Sequence, residues 1–309
     1  MSAVDATFRN ATERHGRQHN GWIVNLGAAL IHPAQHKPGS NTDLAWNMFF
    51  ASTDLHIIAY EGSKEALALN DAEFAKPHGP FHLTAERRSR VVVMREFVNA
   101  YTITEDLARR GVPVSPLLLK VDIDSFDLQA TAKILERFTP RLIWVEASHF
   151  FGISFRFSAL GVPPDAPTPG YGCGPNFCCL GASRAMWIAS LRRRGYSLLQ
   201  WDHNAFNLLF VQHRHRHHFP WRGGLNDCFN DTHYGVYEHR LVGLRKGAET
   251  PAAWANAISR LNRKCALGNI PYTFETDTGE CCPRRLGSLE LNVTNCFCLD
   301  MHGDYVPHN

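Results

Sequence analysis

The sequence predicts an α/β fold: a Rossmann-like seven-stranded, mostly parallel sheet with a terminal antiparallel hairpin, followed by an irregular Cys-containing C-terminal extension. Three observations predict it. Seven apolar runs of strand length recur with helical stretches between them, the pattern of strands joined by crossover helices. The last two runs are separated only by residues 202–206, too few for a crossover helix, so they should pair as a hairpin. From Phe219 onward the alternation fades into Gly, Asn and Cys.

The strands are expected at 22–26, 56–60, 91–94, 117–121, 142–145, 197–201 and 207–211. The helices between them are expected at 42–52, 63–74, 104–110, 125–138 and 182–194. Arg192, Arg193 and Arg194 suit the negative end of the last helix, and Gly195 suits its left-handed stop. The Pro- and Gly-rich stretch 151–175 follows the fifth strand on the ligand side, where it reads as a lid or substrate wall. The division is a sheet domain over 1–218 and an appendage over 219–309, with one helix near 252–263. No internal repeat is visible.

With 309 residues, 44% hydrophobic and 20% charged, the chain can bury a substantial core. A formal net charge of +3 gives no broad basic field, so a small-molecule or glycan acceptor fits better than nucleic acid. No apolar run approaches the roughly 18 residues of a membrane span. The polar start, Met1 to Gly21, lacks a leader and places the chain in the cytoplasm ahead of the secretory route. Pulling the other way are the sequons at Asn10, Asn230 and Asn292 and five of the nine cysteines (Cys265, Cys281, Cys282, Cys296 and Cys298), which crowd the tail. Their spacing lacks that of common zinc sites and points to disulfides or buried thiols. The histidines His213, His215 and His217 alternate as on an extended strand, but interleaved arginines favour a solvated basic edge over a metal site. Neither oligomeric state nor a metal is specified; a divalent ion is chemically possible but not predicted.

The chemistry concentrates where strands end in acid. In an open parallel sheet the carboxyl ends of the strands line the ligand crevice. The fourth strand runs into Asp122 and Asp124, and the fifth ends at Glu146. If the strand persists, Asp122 and Asp124 point to one face, and so much negative charge calls for a cation among it. Asp127 suits the start of the following helix.

The stretch Leu118-Leu119-Lys120-Val121-Asp122-Ile123-Asp124-Ser125-Phe126-Asp127, the preceding Ile103-Thr104-Glu105-Asp106-Leu107, and the closing Asn204-Ala205-Phe206-Asn207-Leu208-Leu209-Phe210-Val211 together resemble the FkbM-type family of class I S-adenosylmethionine-dependent methyltransferases. The resemblance covers about residues 20 to 213. It implies S-adenosylmethionine as cofactor and methyl transfer to a hydroxyl oxygen of a carbohydrate or similar small acceptor. The first turn departs from the family: Asn25 stands where an acid is expected, Gly27 has no second glycine after it, and residues 32–40 are inserted.

On this reading Asn25, Gly27, Glu61 and Asp122 hold the cofactor, since a glycine turn allows close backbone approach and a carboxylate after the second strand accepts from both ribose hydroxyls. Oxygen methylation needs a base, and His149 is the first candidate because neutral imidazole titrates near physiological pH. Asp124 is the second, with Asp122 beside it. The alternative is a non-catalytic binding or scaffold protein that kept a degenerate methyltransferase fold.

Overall fold

The computed structural model describes residues 21–30, 43–148, 156–160, 181–201, 207–218, 272–275, 281–282, 285–286, 289–290, 298–299, 301–302 and 305–306. In chain order the strands up to the hairpin are β1 (Trp22–Leu26), β2 (His56–Tyr60), β3 (Val91–Met94), β4 (Leu118–Val121), β5 (Leu142–Glu146), β6 (Arg156–Ala159), β7 (Tyr196–Trp201) and β8 (Asn207–Gln212). All but β6 join one sheet, ordered β3-β2-β1-β4-β5-β8-β7. The pairs from β3 to β5 are parallel; β8 runs antiparallel to both β5 and β7, so one strand is reversed. The protein is therefore an α/β Rossmann-like fold ending in the expected hairpin.

Among the described residues six α-helices accompany the sheet: α1 (Leu44–Ala51), α2 (Lys64–Ala75), α3 (Ala85–Arg88), α4 (Ile103–Arg109), α5 (Asp127–Leu135) and α6 (Arg184–Arg193). Asp43 caps α1, accepting from the Trp46 amide at 3.1 Å, and Ser63 and Ser183 cap α2 and α6 in the same way. Gly195 closes α6 with φ +81°.

The alternation of strand side chains sends two cores to opposite faces. Val24, Ile58, Leu119 and Ile143 meet α4, α5 and α6 through Leu107, Ile134 and Trp187. Ile23, Ile57, Leu118 and Leu142 meet α1 and α2 through Trp46, Phe49 and Phe74. Full burial of each large side chain stabilises the fold by about 1.5–3 kcal/mol, so truncating Trp46 to alanine would cost about 3–5 kcal/mol with its cavity.

Three expectations need correction. The strand does not persist through Asp122 and Asp124: β4 stops at Val121, and Asp124 has φ +60°. Residues His213–His218 form a 3₁₀ helix, whose three residues per turn abolish the strand-like alternation of the histidines. The helix expected at 125–138 begins only at Asp127, because the preceding residues form a tight loop around that side chain.

In the tail, β9 (Tyr272–Glu275) pairs antiparallel with β6, and Glu275 receives both terminal nitrogens of Arg193 at 3.1 and 3.2 Å. Two short hairpins follow, β10 (Arg285–Leu286) with β11 (Leu289–Glu290) and β12 (Cys298–Leu299) with β13 (Tyr305–Val306). Cys281 and Cys282 are both disulfide-bonded, as one of the two sequence readings expected. The stretch 252–263 lies outside the described residues.

Candidate functional site

The ends of β1, β2, β4 and β5 carry the polar residues, and each is held by a different local device. After β1 the chain turns at Gly27, whose φ of +76° is one that glycine adopts without strain. A Cβ there would lie 1.6 Å from the Asp122 carbonyl oxygen, so the turn also packs directly on the loop after β4. The Gly27 and Ala28 amides both donate to the Tyr60 carbonyl, at 3.0 and 3.1 Å. The Ala28 carbonyl accepts from Trp46 Nε1 and Asn70 Nδ2, each at 2.9 Å, and the Gly27 carbonyl accepts from Lys120 Nζ at 2.6 Å. These polar groups are committed within the protein, so Gly27 offers a ligand shape and proximity more than donors.

Lys120 is buried on β4. Burial alone would discharge it, but the carboxylates of Asp122 and Asp43, each 3.0 Å from Nζ, outweigh that cost and hold its pKa above the usual lysine range. Asn25 is wholly buried, and its Nδ2 donates to Asp43 at 3.2 Å. Its amide thus turns to Asp43. Glu61, at the end of β2, accepts from the Ser63 amide at 2.8 Å. Burial raises its pKa, opposed by the Ser63 bond and by Lys120 and reinforced by Asp122, so its carboxyl shares the electrostatic field of the β4 end.

Asp122, Asp124 and Glu146 converge: one carboxylate oxygen from each lies within 4.8 Å of the others. Asp122 and Asp124 come together through a loop turned left-handed at Asp124 and not through the strand alternation expected from the sequence. Asp127 underpins the loop, accepting from the amides of Ile123 at 2.8 Å and Ser125 at 2.9 Å. Burial, with Asp122 and Asp124 nearby, outweighs those two bonds and pushes its pKa up to about 7. Glu146 is raised further, by burial first and then by Asp122, whose carboxyl it is hydrogen-bonded to, and by Asp124 and Asp127. Burial and mutual repulsion thus oppose full ionisation of the cluster. Oxygen-preferring divalent cations are the metals such a trio could hold.

At the ends of β2 and β3 lies a cavity of about 730 Å³ lined by Tyr60, Met94, Glu96, Phe97, Asn99 and Asp106, among others. None of the three clustered acids lines it. The Tyr60 hydroxyl donates to Asp106, which is also paired with Arg109 and Arg110. Phe97 is 79% exposed, and its ring lies over Gly62, where a Cβ would come within 2.3 Å of it.

Sequence reasoning named Asp122, Asp124, Glu146, Glu61 and Gly27, and the structure gathers them at one end of the sheet. His149, the 151–155 and 161–175 parts of the wall segment, and residues 32–40 lie outside the described residues. Asp43 and Phe97 were missed. An acid before an apolar helix signals a cap for α1 but not its pairing with Lys120, and nothing in the pattern marks Phe97.

The chain matches no protein-family model, and no curated protein matches it. Among solved structures it is similar to the N-terminal domain of EvdMO1 with SAH bound, at 16% identity and a TM-score of 0.37, over 69% of this chain and 81% of that one. It is also similar to the 4+2 cyclase SpnF, at 15% identity and a TM-score of 0.31, over 65% of this chain. The match spans 59% of the SpnF chain. Among the described residues no helix is long and apolar enough to cross a membrane.

Proposed function

We propose that the protein binds S-adenosylmethionine and methylates a hydroxyl oxygen on a carbohydrate or similar small acceptor. The observation that carries this reading is the order of groups along the strand ends. A carboxylate (Glu61) follows β2, a cavity large enough for a nucleoside opens at the ends of β2 and β3, and three converging acids stand two strands away at β4 and β5. That order fits a ligand with a ribose at one end and a cation at the other. Glu61 would accept from the ribose hydroxyls, Phe97 would flank the base, and Asp122 would face the positive charge.

When bound, S-adenosylmethionine supplies the methyl group. This chain's residues would hold the acceptor hydroxyl near the acid cluster and take its proton. Among the described residues Asp124 is the candidate base, because it is exposed and belongs to the cluster. His149, three residues past Glu146 and the first candidate from the sequence, lies outside the described residues.

A non-catalytic binding role is the second reading, and the committed polar groups of the first turn favour it. Calorimetry with SAM and SAH separates the two. The enzymatic reading expects saturable heat that is weakened about tenfold or more in Glu61→Gln, since lost charge-assisted bonds cost about 1.5–3 kcal/mol. No heat and no thermal shift with either ligand would leave the scaffold reading.

A further inference from the structure

Lys120 lies mid-sheet with 4% of its surface exposed, so its ammonium must find partners inside the protein. The ammonium donates to the Gly27 carbonyl at 2.6 Å and forms ion pairs with Asp122 and Asp43, each at 3.0 Å. They come from the turn after β1, the loop after β4 and the cap of α1. Lys120 is thus the point where three separate segments are tied.

Asp43 does more than cap its helix. One of its oxygens serves the Trp46 amide and the Asn25 side chain, and the other serves Lys120. Asn25 is the strand neighbour of Lys120 in register and is wholly buried. An acid at position 25 would stand within reach of the same ammonium, yet β1 offers a neutral amide there. The negative charge arrives instead from the α1 cap, with the Asn25 amide bonded to it.

We propose that Asp43 is a positioning residue for the ligand-facing turn: through Lys120 it fixes the Gly27 carbonyl, performing from α1 what an acid at position 25 would perform from β1. This rests on the cofactor reading for its consequence, ligand affinity, but not for its geometry. Without the Asp43 charge, Lys120 keeps only Asp122 and the carbonyl. Its hold then tightens on Asp122, a group meant for the ligand, while the turn loosens.

The test uses the full chain and three variants, Asp43→Asn, Asn25→Asp and the double Asn25→Asp/Asp43→Asn, with two readouts. The first is hydrogen exchange of the Gly27 and Ala28 amides; the second is the calorimetric affinity for SAH. Asp43→Asn is expected to speed exchange and weaken SAH by about tenfold each, the scale of one lost charge-assisted contact. The double variant returns the charge on the other member of the pair and should recover both readouts to within about threefold of wild type. Asn25→Asp alone crowds a third carboxylate around one ammonium and should impair both.

Wild-type exchange in Asp43→Asn, or a double variant no better than that single one, overturns the proposal. A merely structural cap would not be rescued from position 25. If the wild-type protein binds no SAH, the cofactor reading falls, and the exchange readout alone decides whether Asp43 holds the turn. Should Asp43→Asn fail to fold, Asp43→Ser keeps a capping oxygen without the charge and is read against the same two outcomes.

Discussion

The carboxyl of Glu146, at the end of β5, is hydrogen-bonded to the carboxyl of Asp122, just beyond β4. Two carboxyls can make that bond only when one of them holds a proton. Burial and the three neighbouring acids raise the Glu146 pKa, while Asp122 lies 3.0 Å from the Lys120 ammonium.

This pairing sets how stability depends on pH. Glu146 and Asp127 both have folded-state pKa values above their ordinary ones, so the folded protein holds protons that the unfolded chain has released. Their stabilising contribution is complete below the ordinary carboxyl range and is lost as pH rises through the folded values, reaching about 7 for Asp127 and continuing beyond it for Glu146. Melting temperature is therefore expected to fall from about pH 5 to pH 8. Glu146→Gln still offers Asp122 an N–H and cannot ionise, so its melting curve against pH should be flatter than wild type.

Gly27→Ala is expected to be severe. The new methyl group would meet the Asp122 carbonyl, and the backbone there is left-handed. Strain and displacement together should cost about 2–4 kcal/mol, read as a lower urea midpoint, with loss of SAH binding in whatever protein remains folded.

Phe97 separates binding from folding. Because its ring is exposed, Phe97→Ala should shift the urea midpoint little. If the ring flanks a purine, SAH affinity should fall about tenfold, in line with about 1–3 kcal/mol for base stacking on an aromatic side chain. Unchanged affinity would remove Phe97 from the ligand site.

The tail offers a chemical prediction. Cys281 and Cys282 are oxidised, so alkylation of the denatured, unreduced protein should leave both unlabelled, and prior reduction should expose both to the reagent. Reduction should also lower the melting temperature, since the bonded cysteines follow β9, which is zipped to β6 and to Arg193.

Much of the architecture was legible because it is written locally. Apolar runs such as His56–Tyr60 and Leu142–Glu146 declare buried strands by themselves, and a five-residue gap forces a hairpin. The β6 to β9 pairing was not legible, since it joins segments more than a hundred residues apart with a helix and two other strands between them. At the site, the strand-end acids could be named from position, but their convergence depends on a left-handed turn at Asp124 that the sequence does not announce. Asp43 was readable as a cap and unreadable as a counter-ion, because its partner Lys120 is distant in the chain.

Strand β4 lies in the middle of the sheet, flanked by β1 and β5, so the loop it feeds is anchored to the portion of the molecule that opens last. A small molecule gripping that loop would be sensed by the entire sheet at once. Occupancy should then appear as a single cooperative melt moving to higher temperature, making simple thermal screening a fitting way to search for ligands.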